Sequence, residues 1–107
     1  MANTNDTARL RSLYAAALFW DAIEAAASAE CLDGELPEAV WDEAEENEIK
    51  ARDALVDAIK GRPRINETRA VRLVYGANTF YHLEEYIPEL EGIATTGAWA
   101  EITGRSA

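Results

Sequence analysis

Apolar residues return every three or four positions over three long stretches of the sequence, a spacing that gathers them on one face of an α-helix. In the first stretch Leu10, Leu13, Tyr14, Ala17 and Trp20 share such a face. Further along, the apolar set rotates to Phe19, Ile23, Ala26 and Ala27. With Thr4 or Asp6 as cap and many alanines, this predicts a helix over residues 5–31. At mid-length it is apolar over most of its circumference, which predicts a central place in a bundle. Asp33-Gly34 marks a turn, and Pro37 suits the first turn of a second helix over 37–60, stopped by Gly61 and Pro63. Its stripe is Trp41, Ala44, Glu48, Ala51, Leu55 and Ala58, flanked by Val40 and Ile59. Trp41, Leu55 and Ile59 are the expected core positions facing the first helix.

Asn66 can cap a third helix, with Glu67 favourable to its dipole. Ala70, Leu73, Val74, Ala77, Phe80, Tyr81 and Ile87 share a face and extend it over 66–87, to Pro88. An alternative pairs Val71–Tyr75 with Thr79–Leu83 as two strands around Gly76-Ala77-Asn78. The long stripe favours the helix, because an isolated hairpin is marginal. A short last helix over 96–103, capped by Thr96, would hold Trp99 and Ile102. The expected fold is a single all-α domain over 1–107, a small antiparallel bundle of three main helices plus a short C-terminal helix.

Composition supports one globular core, with 49% hydrophobic and 28% charged residues in 107. The most apolar stretch, Leu13 to Trp20, is too short to span a bilayer, and Asp21 and Glu24 follow where a signal-peptide cleavage site would lie. A cytoplasmic location is expected. A single cysteine, Cys31, excludes an internal disulfide framework and a multi-cysteine zinc site.

Charge changes the picture more. The formal net charge is −10, and it is unevenly spread. Residues 12–49 hold eleven acids and no Lys, Arg or His, whereas residues 50–72 hold seven bases and three acids. This disfavours direct nucleic-acid binding, which requires clustered cations to displace counterions. Glu35, Glu38, Asp42, Glu43, Glu45 and Glu46 lie off the apolar stripe and form the first candidate binding face. The helix dipole accounts for acids in the first turn, but not for a run over three turns without basic neighbours. Such a face either keeps the protein soluble or seeks a basic partner.

Two further constellations stand out. Asp21, Glu24, Glu48 and Glu84 fall on or beside apolar faces, and Asp21-x-x-Glu24 and Glu45-x-x-Glu48 have the spacing with which helical bundles build divalent-metal sites. All-α nucleotide pyrophosphohydrolases use paired acidic motifs of this general kind, but the third helix here lacks an E-x-x-D partner. These carboxylates are expected to sit at the edges of the stripes or to pair with Arg62, Arg69 or Arg72. Val71, Tyr75, Asn78, His82 and Tyr86 would make a column along the third helix, and Tyr75, Asn78, His82 and Tyr86 are a weaker candidate partner-binding flank. His82 has no nucleophile at a suitable spacing, so no catalytic residue, metal site or cofactor is expected.

In size, acidity and the Asp33–Glu48 acidic stretch, the chain resembles the anti-CRISPR proteins of phages and mobile elements, several of which are small acidic helical domains. The resemblance implies a non-enzymatic inhibitor that occupies a basic, nucleic-acid-binding surface of a CRISPR effector or similar complex in a bacterial host. The alternatives are a magnesium-dependent pyrophosphohydrolase-like enzyme and a host adaptor or oligomer subunit meeting another helix through the aromatic flank.

Overall fold

A computed structural model of the protein describes the backbone of residues 4–34 and 37–96, and side chains within 6–34 and 37–94. Helix α1 spans Thr4–Leu32 and α2 spans Glu38–Ile59. The turn between them uses Gly34 at φ 80°, a left-handed conformation that glycine adopts without strain. Pro37 stands at the N-cap of α2 with φ −63°, the value its ring fixes, and an extended ψ of 145°. The short connection makes α1 and α2 an antiparallel hairpin. At 29 residues α1 is about 43 Å long, most of the molecule's 49 Å greatest dimension. The smallest dimension, 21 Å, is that of two helix layers.

The second layer covers only part of the hairpin. It consists of α3 (Glu67–Tyr75), α4 (Ala77–Phe80), two 3-10 turns at Leu83–Glu85 and Pro88–Leu90, and α5 (Ile93–Thr96). Asn66 caps α3 as expected, its side chain accepting from the Arg69 amide. Tyr14, Leu55, Ile59, Val74, Phe80, Leu83, Ile87, Leu90 and Ile93 are fully buried between the layers. Each such side chain contributes about 1.5–3 kcal/mol relative to exposure, so this layer contact is where the fold is held. Arg11 adds a tie by donating to the carbonyls of Glu89 and Glu91, and Arg62 pairs with Glu89.

The fold is all-helical, with no strand among the described residues, so the hairpin alternative around Gly76 does not form. The continuous third helix over 66–87 does not form either. It breaks at Gly76, where the backbone turns extended (φ −77°, ψ 127°). A Cβ there would stand 2.6 Å from the Arg72 carbonyl oxygen and 2.8 Å from the Thr79 hydroxyl, so only glycine fits. The Thr79 hydroxyl lies 2.8 Å from the Leu73 carbonyl and caps the end of α3. Arg52 donates to the carbonyl of Val74, and the Tyr14 hydroxyl donates to that of Phe80. The column Val71, Tyr75, Asn78, His82 and Tyr86 is therefore distributed over separate elements. The predicted last helix around Trp99 and Ile102 lies outside the described residues; the described helix there, α5, starts at Ile93. No helix among the described residues is long and apolar enough to cross a membrane.

Two core expectations need correction. Leu55 and Ile59 are fully buried, but Trp41 is only partly so. Its indole N–H reaches Glu24 Oε1 at 2.9 Å, so it sits at the edge of the hairpin with its polar atom satisfied. Nor is α1 enclosed on all sides, since Trp20 is partly buried and Ile23 is 39% exposed.

Candidate docking surface at the end of the helical hairpin

The antiparallel hairpin brings the second half of α1 and the first half of α2 to one end of the molecule, its tip. Sequence positions 12–49, which hold eleven acids and no base, are thereby folded back on themselves. Among the described residues there, the apolar side chains that are buried are alanines, Ala27 and Ala44. Small side chains let the helices approach but bury little apolar area, so the tip has no thick core of its own.

The acids at this end divide into two sets. The inner set faces the second layer. Asp21 Oδ1 accepts from Arg52 at 2.8 Å, and its other oxygen accepts from the Tyr81 hydroxyl at 2.6 Å. Glu48 lies 3.5 Å from the same guanidinium, and Glu24 accepts from Trp41. Arg52 is nearly buried and is held on every side, with its guanidinium 3.9 Å from the Phe80 ring centroid and 5.5 Å from that of Tyr75. Burial, then the adjacent Asp21 carboxylate, push Glu48 up to about 6 despite the opposing pull of Arg52. The fourth carboxylate, Glu84, accepts from the Gly92 amide at 3.3 Å, away from the others. These acids thus have partners within the fold: Arg52, and not Arg62, Arg69 or Arg72, is the cation of Asp21 and Glu48, while Glu24 and Glu84 accept from Trp41 and the Gly92 amide. No group of three or more His, Cys, Asp or Glu among the described residues is placed to hold a metal ion.

The outer set is different. Glu38, Asp42, Glu43, Glu45 and Glu46 are all exposed, as are Glu30 and Asp33 on α1. Lys50 approaches Glu46 at 3.4 Å with both side chains about 70% exposed, a pair that water and salt weaken strongly. Glu35, the remaining member of the predicted face, lies outside the described residues. An apolar groove of about 180 Å³ runs beside these acids, lined by Trp20, Ile23, Val40, Glu43, Ala44 and Asn47. Neither this groove nor the role of Arg52 was anticipated. The i, i+4 spacing of Glu48 and Arg52 next to the stripe was the available signal for the latter.

The residues of the aromatic flank lie on separate elements and are all exposed. The Tyr75 hydroxyl donates to Asp53, and Tyr86 lies over Arg69 with 6.0 Å between guanidinium carbon and ring centroid. Burial, then the bond to Asp53, push the Tyr75 hydroxyl up to about 12. Asn78 belongs to α4, and His82 is exposed between α4 and the first 3-10 turn. Comparison with protein-family models, with characterised proteins and with solved structures finds no match for the chain.

Proposed function

We propose that the protein is a non-enzymatic binding protein that docks its acidic hairpin tip on a basic surface of a protein partner, of the kind that otherwise holds nucleic acid. The observation that carries this reading is the split between the two sets of acids. The inner acids are matched by Arg52, Tyr81 and Trp41, whereas five exposed carboxylates on α2 have, among the described residues, only Lys50 as a nearby cation. A fold that needed acids only for internal pairing would not require the outer five. Closely spaced like charges on a helix cost about 0.2–0.5 kcal/mol per pair, an expense that a cationic partner would reverse. Charge of one sign on a projecting end also steers encounter with a basic cleft and accelerates association.

The test is to capture the partner from a cell carrying a nucleic-acid-binding defence complex, then compare the native protein with the double variant Glu43→Lys/Glu46→Lys at two salt concentrations. Both positions are exposed, so the variant remains folded. The reading predicts weaker binding for the variant and for the native protein at high salt, because the screening length falls from about 10 Å at 0.1 M to about 3 Å at 1 M. Equal affinity in both comparisons overturns it.

A further inference from the structure

The groove beside the acids narrows the chemistry of the partner. We infer that it receives one large apolar side chain from a basic amphipathic helix, whose cations then lie against the acidic rim. This rests on the docking reading above and specifies the segment that docks.

The groove follows the seam between α1 and α2, with Trp20 and Ile23 on one wall and Val40, Glu43, Ala44 and Asn47 on the other. Ile23 is 39% and Val40 43% exposed, and Trp20 is partly buried, so three large apolar side chains reach solvent together. Its volume, about 180 Å³, accommodates a leucine or phenylalanine side chain but not a whole element of structure. A pocket filled by one anchor and ringed by polar groups is the usual energetic centre of a protein interface. The rim supplies the charge. Glu43 lines the groove itself, and Glu46, three residues on, continues the same face of α2. Glu30 lies two helical turns beyond Ile23 on α1. An occupant must therefore be apolar at its centre and cationic around it.

A second copy of the tip fails this condition, because it would bring Glu43 and Glu46 against their own equivalents. An amphipathic helix meets it, since apolar residues at i and i+3 or i+4 form one stripe and Lys or Arg can flank it on both sides.

Three synthetic 18-residue peptides of helical period separate the contributions: one of Leu and Lys, one with the leucines replaced by Ser, and one with the lysines replaced by Glu. Titration calorimetry against the full chain should show binding of the Leu/Lys peptide, at least tenfold weaker binding of the Ser/Lys peptide, and none of the Leu/Glu peptide. The variant Ile23→Ser/Val40→Ser keeps the net charge and changes two partly exposed positions; it should lose at least tenfold for the Leu/Lys peptide. Dichroism checks that it remains helical. If the Ser/Lys peptide binds within twofold of the Leu/Lys peptide, or Ile23→Ser/Val40→Ser binds as the native protein does, the groove assignment is overturned while acidic docking stands. If no peptide binds, the groove assignment is likewise overturned, and the salt and charge-reversal comparison with the captured partner decides the docking reading separately.

Discussion

The two ends of the α1–α2 hairpin are built on opposite principles. At the base, the second layer packs Phe80, Leu83, Ile87, Leu90 and Ile93 against Tyr14, Leu55 and Ile59, all of them fully buried. Several charges there are answered. Lys60 contacts Asp57 and Glu67, Arg62 contacts Glu89, and Arg11 donates to two carbonyls. At the tip the hairpin stands with alanines in its seam, apolar side chains half in solvent and exposed acids that, among the described residues, have only Lys50 against them. Arg52 lies between these regimes, carrying the inner acids into the network of the second layer. The lesson is a division of labour: stability resides where the second layer lies, and the uncovered tip is left for binding.

The sharpest way to break this comparison is to truncate a core residue at the base. Leu55→Ala should cost about 2–5 kcal/mol in urea unfolding, since its side chain is fully buried. Val40→Ala at the tip should cost below about half a kcal/mol, as a surface change does. Comparable losses at both positions would show that the tip contributes a core of its own.

Arg52→Met comes next. It leaves Asp21 and Glu48 facing each other without their shared cation, and should cost about 3 kcal/mol at pH 7, the lower end for a broken buried pair because Asp21 remains partly hydrated. Near pH 5 the loss should shrink, as Glu48 takes up a proton. A loss that does not vary with pH would place the guanidinium's contribution in its ring contacts instead.

Much of this fold was legible beforehand, and the failures have physical causes. Gly34, Pro37, Gly61 and Asn66 mark helix boundaries through local backbone chemistry, which the surroundings seldom override. Gly76 was missed because the apolar period runs on through Ala77, Phe80 and Tyr81 as though the helix did. The break depends on Thr79 capping carbonyls and on Arg52 and Tyr14 claiming others from distant parts of the chain, which no local pattern encodes. The acids of α2 could be placed on an outward face by periodicity alone. Which acids on apolar faces were paired, and with what, required the fold, because Asp21 and Arg52 are 31 residues apart.

Glu48 gives a smaller effect with a definite sign. Its folded value, about 6, lies above the ordinary 4.5, so the folded protein binds the proton more tightly than the unfolded chain. Glu48 therefore lends stability at low pH that is lost as pH rises through about 4.5 to 6, and remains lost above. Glu48→Gln lacks this slope. Relative to the native protein it should gain about 1–2 kcal/mol between pH 4.5 and 7, read from urea midpoints at each pH. A difference that stays constant across that range would show that burial and Asp21 do not act on this carboxylate as described.

The smallest expected effect on stability is that of Glu43→Lys/Glu46→Lys, within about half a kcal/mol of the native protein in thermal unfolding. A larger loss would mean that the outer acids support the fold.

The central claim, that the tip is the binding end, is most directly tested by titrating isotope-labelled protein with its captured partner and following backbone amide resonances. The account predicts that perturbations concentrate in residues 20–34 and 37–50, with the base around Leu55, Ile59 and Leu83 unchanged. Perturbations centred on Val71–Tyr86, with the tip silent, would contradict it and move the binding surface to the aromatic residues of the second layer.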